Sequence, residues 1–162
     1  MEAKRFKQLI DECAVGHQGK KAGKKYVWLH DELVIFLDIQ LSEFIPRAFY
    51  INVSYFLSAI TGLPDIEAFE YLGDVFYRFS SGLSGEEYSD VFAIEEIQNE
   101  DDIRIILERE FAYFVKEVKT SSDLGNVIKN RPNVRPFMKV IAEEHFGLTR
   151  PKKKSFFDRF NF

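Results

Sequence analysis

A two-residue alternation over ten positions constrains this chain more than any other feature. Phe49, Ile51, Val53, Tyr55 and Leu57 alternate with Tyr50, Asn52, Ser54, Phe56 and Ser58. Successive strand side chains point to opposite faces, so the pattern predicts a strand with one covered face; a helix would scatter the same residues around its surface. Just upstream, Ile35, Leu37, Ile39 and Leu41 alternate with Asp38, Gln40 and Ser42, and Tyr26–His30 is a further apolar run. Pro46-Arg47 separates the two longest runs at a turn, because proline cannot donate to a central ladder. The expected nucleus is an antiparallel meander of Tyr26–His30, Leu33–Leu41 and Ala48–Ser58. Val75–Phe79 and Val91–Ile94 predict a fourth strand and a short fifth.

Helical spacing brackets these strands. Phe6, Leu9, Ile10 and Cys13 form one apolar stripe, with Gly16 and Gly19 placed to end the helix. Ile66–Leu72 predicts a short helix. Asn99 is a good N-cap, followed by Glu100, Asp101 and Asp102 at the partly positive helix start. The stripe Ile103, Leu107, Phe111, Phe114 and Val118 then runs to about Lys119. Ser122 and Asp123 start a shorter helix. Asn133 is placed to cap a last one, carrying Val134, Phe137, Met138, Ile141 and His145, with His145 read as a core histidine. Helix, strands, then helices predicts an α+β fold: a mostly antiparallel sheet of four to five strands, with the helices on one face. Seventeen Phe, seven Tyr and one Trp among 162 residues supply enough apolar surface for a core. One domain is expected over 1–149, followed by a basic and aromatic tail over 150–162.

Catalytic signatures are weak. A phosphate-binding loop in Gly16–Lys25 would need glycine where Ala14 or Gln18 stands, and Ser or Thr where Lys21 or Lys25 stands. It reads as a solvated basic connection. Glu143-Glu144-His145 lacks the second histidine of a zinc-protease helix, and the acidic segment fits no EF-hand loop. The lone cysteine, Cys13, lies on the buried stripe and reads as inert packing. No catalytic residue, metal site or cofactor is assigned.

Charge layout is more informative. The net charge of −4 averages +4 over residues 1–25, −14 over 26–128 and +6 over 129–162. A globally basic nucleic-acid binder is thereby excluded. Between Glu86 and Asp102 lie eight carboxylates (Glu86, Glu87, Asp90, Glu95, Glu96, Glu100, Asp101 and Asp102) and no lysine or arginine. Such a run is either a solvated acidic loop and helix start or a docking surface for a basic partner. A second candidate is the polar parity of the sheet, with Asp38, Gln40, Ser42, Tyr50 and Asn52 joined by Arg78. Solvent exposure accounts for it most simply; a ligand face is the alternative. The tail joins Lys152, Lys153 and Lys154 to four phenylalanines. It is expected to dock back on the domain, with an amphipathic membrane contact or a peptide-like ligand for a partner groove as alternatives. No apolar run approaches the roughly 18 residues needed to span a bilayer, and the first residues lack a secretory signal's apolar stretch, so the cytoplasm is the expected address.

Several short motifs carry a resemblance. The opening helix, Gly19-Lys20-Lys21-Ala22-Gly23-Lys24-Lys25-Tyr26, Ile39-Gln40-Leu41-Ser42 and Phe49-Tyr50-Ile51-Asn52-Val53 together resemble an uncharacterised bacterial family, domain of unknown function 4304, over about residues 4–83. Phe76-Tyr77-Arg78-Phe79 resembles that family's later aromatic-arginine strand. The resemblance implies no activity. In type, a small acidic α+β chain is similar to the immunity proteins that bacteria keep against toxins. The expected function is non-enzymatic: neutralising a basic, nuclease-type toxin domain through the acidic surface. The alternative is a ligand-binding or enzymatic domain using the polar sheet face.

Overall fold

The computed structural model describes residues 1–62, 73–82, 89–130 and 137–148. The alternating segments pair as one antiparallel sheet. From one edge the order is β1 (Lys20–Ala22), β2 (Lys25–Leu29), β3 (Leu33–Leu41), β4 (Ala48–Leu57), β5 (Val75–Arg78) and β7 (Phe137–Met138); β6 (Phe92–Ala93) pairs with the start of β4. The long β3–β4 pair sets the register, with Leu33 opposite Leu57 and Leu41 opposite Phe49. That register puts Ile35, Leu37, Ile51, Val53 and Tyr55 on one face, where the helices cover them.

Helix α1 (Ala3–Gly16) buries Phe6, Leu9, Ile10 and Cys13 against this face. Two short helices, α2 (Ser58–Thr61) and α5 (Val140–His145), flank two longer ones, α3 (Glu100–Phe111) and α4 (Ser121–Asn130). Each buried Phe, Leu or Ile contributes roughly 1.5–3 kcal/mol relative to exposure. Aromatic rings tie the layers together: Phe79 meets Phe111 edge-on at 5.2 Å and stacks on Phe114 at 5.7 Å. The α+β architecture with helices on one sheet face follows the sequence expectation.

Several local expectations do not hold. Lys20–Ala22 is no loop but a strand, paired with β2 through a turn at Gly23, whose φ is +61°. Neither Gly16 nor Gly19 takes the left-handed position after α1; Gln18 does, at φ +66°. The Gly19 amide then donates to Ala14 O at 2.8 Å and the Gln18 amide to Val15 O at 2.9 Å, capping the last carbonyls of α1. Gly19 is needed for another reason: an added Cβ would sit 2.6 Å from the Trp28 ring and 2.8 Å from Ala14 O.

The stripe attributed to one last helix is divided. Phe137–Met138 pairs with β5, and α5 starts only at Val140. His145 is therefore exposed, with Nε2 2.9 Å from Ser121 Oγ, and is no core histidine. Nor does α3 run on to Lys119: after Phe111 it widens into a π-helical turn, Ala112–Lys116, with the Tyr55 hydroxyl donating to Phe114 O at 2.6 Å. The polar sheet face is not simply solvated either. Val27, Val34, Phe36 and Phe56 form a second buried cluster there, and Asn52 is only 4% exposed. The apolar residues standing among the polar ones on that parity are the physical reason. The expected helix at Ile66–Leu72, the cap at Asn133 and the tail over 150–162 lie outside the described residues.

Candidate functional site

The acidic run divides into structural and exposed carboxylates. Arg78 Nη1 lies 3.0 Å from Asp90 Oδ2, and Arg47 lies 3.4 Å from Glu95. Glu100 is bound by Arg5, which also holds Glu12 at 2.9 Å; Arg104 reaches Glu12 at 2.8 Å. These four charges lock α1 to α3, and hydrogen bonds from Arg5 hold the Glu100 carboxyl below its usual range. Glu96, Asp101 and Asp102 are exposed and make no ion pair among the described residues. Asn99 caps α3 as expected, accepting the Asp101 amide at 3.0 Å. Glu86 and Glu87 lie outside the described residues.

Ser42, expected on a ligand face, is buried and organises the β3–β4 turn instead. Its Oγ accepts the Ile45 amide at 3.0 Å and the Phe44 amide at 3.3 Å, and its own amide donates to Ala48 O at 2.8 Å. Arg47 closes the turn in the left-handed region at φ +54°. The Ile94 amide binds Arg47 O at 3.1 Å, which seats the Ile94–Glu96 turn beside the hairpin. The result is a fixed turn that presents Phe44 to solvent at 89% exposure, with Leu41 at 58% and Ile45 at 41%. The strand alternation includes Leu41 but gives no sign of Phe44 and Ile45, for which the apolar pair at a turn is the available signal.

The other polar-face residues do come together. Asn52 Nδ2 donates to Gln40 Oε1 at 3.1 Å and to Asp38 Oδ2 at 3.3 Å, while Asn52 Oδ1 accepts from Arg78 Nε at 3.3 Å. The Arg78 guanidinium lies 4.1 Å from the Tyr50 ring centre. Burial pushes the Asp38 carboxyl up, against the opposing pull of Asn52, Lys25 and Arg78. This network spends most of its donors and acceptors internally.

A cavity of about 430 Å³ opens where the end of α1, Trp28 of β2, the β2–β3 turn and the π-helical segment meet. His17 stacks on Phe111 with ring centres 5.5 Å apart, and its Nε2 lies 2.8 Å from Glu108 Oε2. The Trp28 indole donates to His17 O at 2.7 Å. Burial pushes the Glu108 carboxyl up, but hydrogen bonds from His17 and Cys13 outweigh it and hold the group low. Burial and that same glutamate push the Cys13 thiol up to about 12, so it stays a thiol. His30 lines the cavity with Nε2 buried and without a hydrogen-bond partner among the described residues. Burial, then Lys119, pull its pKa down. Among the described residues no cluster of three His, Cys, Asp or Glu side chains is placed to hold a metal ion, and no helix is long and apolar enough to cross a membrane.

No family model, curated protein or solved structure matches the chain. The candidate sites therefore rest on chemistry and geometry alone.

Proposed function

We propose that this chain is a non-enzymatic cytoplasmic binding protein of the immunity type, which neutralises a basic, nuclease-type toxin domain by covering it. The observation carrying this reading is Phe44, 89% exposed on a turn that Ser42 and Arg47 hold in place. A large apolar side chain held rigid in water is unfavourable until something buries it, and a preordered turn loses little entropy on docking. The surroundings are acidic: Glu43 lies in the same turn, and Glu95 and Glu96 in the neighbouring one. Phe44, Leu41 and Ile45 would form the desolvated centre of the interface, with the carboxylates as its rim. Glu96, Asp101 and Asp102 would steer a basic partner in.

The test is co-purification with the polypeptide encoded beside this one, followed by stopped-flow association. Phe44→Ala should weaken the complex at least about tenfold, chiefly by faster dissociation. Reversing Glu95, Glu96 and Asp101 to lysine should slow association several-fold at low salt and little at high salt. A tight complex indifferent to all four changes would remove this surface; no complex with the neighbour would remove the immunity assignment.

A further inference from the structure

The cavity beside Trp28 belongs to none of the surfaces above, and two features there lack a structural explanation. His30 presents a buried imidazole nitrogen with no partner among the described residues. Lys116 and Lys119 both line the cavity, although each has open solvent available. The backbone is irregular on both sides, with Gln18 left-handed at φ +66° and α3 widened into the π-helical turn that carries Val115 and Lys116. Irregular backbone of this kind recurs where a chain shapes a binding site.

The charges define the missing occupant. Among the lining residues two lysines and two histidines stand with one carboxylate, Glu108, whose charge is already engaged by His17 and Cys13, while Asp31 and Asp123 act on His30 from outside the lining. The walls between them include Trp28 and Val115. Sites for small molecules combine an apolar surface with a few convergent polar groups, and this one has a surplus of cationic groups. We propose that the cavity binds a compact organic anion, an aromatic phosphate monoester, with its charge between Lys116, Lys119 and His30 and its ring on Trp28.

The bound anion gives His30 Nε2 an acceptor and offsets the neighbouring lysine. His30 is faced by Lys119 from the segment after the π-helical turn, by Asp31 of its own turn and by Asp123 of α4. Of these only Lys119 opposes its protonation, so anion binding raises the His30 pKa and takes up a proton. Binding accordingly weakens as pH rises.

The test titrates the intact chain with phenyl phosphate, inorganic phosphate and benzyl alcohol, following the Trp28 indole and His30 imidazole signals by NMR. Phenyl phosphate should shift both saturably below about 10 mM, and the Lys116→Gln/Lys119→Gln double variant should bind at least about tenfold more weakly. Both lysines are exposed, so an unchanged melting curve for that variant keeps the comparison fair. Equal affinity for benzyl alcohol would overturn the anion, and equal affinity for inorganic phosphate would overturn the ring. No saturable shift, or full affinity in the double variant, would overturn the site. The outcome is independent of the partner proposed for Phe44.

Discussion

Lys139 places its ammonium 2.8 Å from Asp74 Oδ1, closing the edge of the sheet where β7 joins β5. Asp74 is fully buried, and its other oxygen accepts the Leu57 amide at 2.9 Å and the Thr61 hydroxyl. One carboxylate thus joins β4, α2 and the segment after β7.

Removing that carboxylate strands several donors together. Asp74→Ala should cost about 3 kcal/mol in urea unfolding, because buried donors lose their acceptor. Lys139→Met should cost less, about 1 kcal/mol, since the ammonium is half exposed in the pair and Asp74 keeps the Leu57 amide and the Thr61 hydroxyl. Equal losses from the two variants would contradict this division.

Gly19→Ala tests close approach, since Gly19 has no positive φ. The new methyl meets the Trp28 ring and a backbone carbonyl at sub-contact distances, and the carbonyl belongs to the α1 cap. A loss of about 2 kcal/mol and a shifted Trp28 emission are expected. Unchanged stability and spectrum would mean that the helix end moves freely.

Asp38 predicts a pH dependence. Its carboxyl is raised on folding by burial, so the folded state keeps its proton to higher pH than the unfolded chain does. Stability contributed at this site therefore falls as pH rises from the ordinary value of 3.8 through the raised one. Asp38→Asn should flatten that slope and raise stability at neutral pH. A steeper acid-side profile in the variant would reverse the sign.

Cys13 should resist thiol reagents in the native protein at pH 8 and react fully in urea, because its pKa lies near 12 and its side chain is buried. Rapid native labelling would show that α1 opens from the sheet.

Much of this architecture was legible from period and spacing. The β3–β4 alternation, the Asn99 cap and the α1 stripe each follow from one local pattern. What escaped depended on tertiary pairing. Lys20–Ala22 has too many lysines to announce a strand, and becomes one only because β2 offers a ladder. Val134 to His145 has helical spacing, yet β5 recruits Phe137–Met138 as a strand, since short apolar runs do not separate helix from strand by period alone. Of the predicted sites, Asp38, Gln40, Asn52 and Arg78 do converge, whereas Ser42 turns inward to hold Phe44. The Trp28 cavity was invisible because its walls come from residues near 16–18, 28–30, 108 and 115–119, and no local motif joins them.

The short first strand also bears on how the molecule behaves among its own copies. An open sheet edge invites a neighbour's backbone to add on and propagate. Here that rim is three residues long, carries Lys20 and Lys21, and turns at once through Gly23. Like charges would meet across any edge-to-edge stack, and there is little ladder to gain. Replacing those lysines with valine would remove the charge and leave the shortness of the rim as its remaining guard.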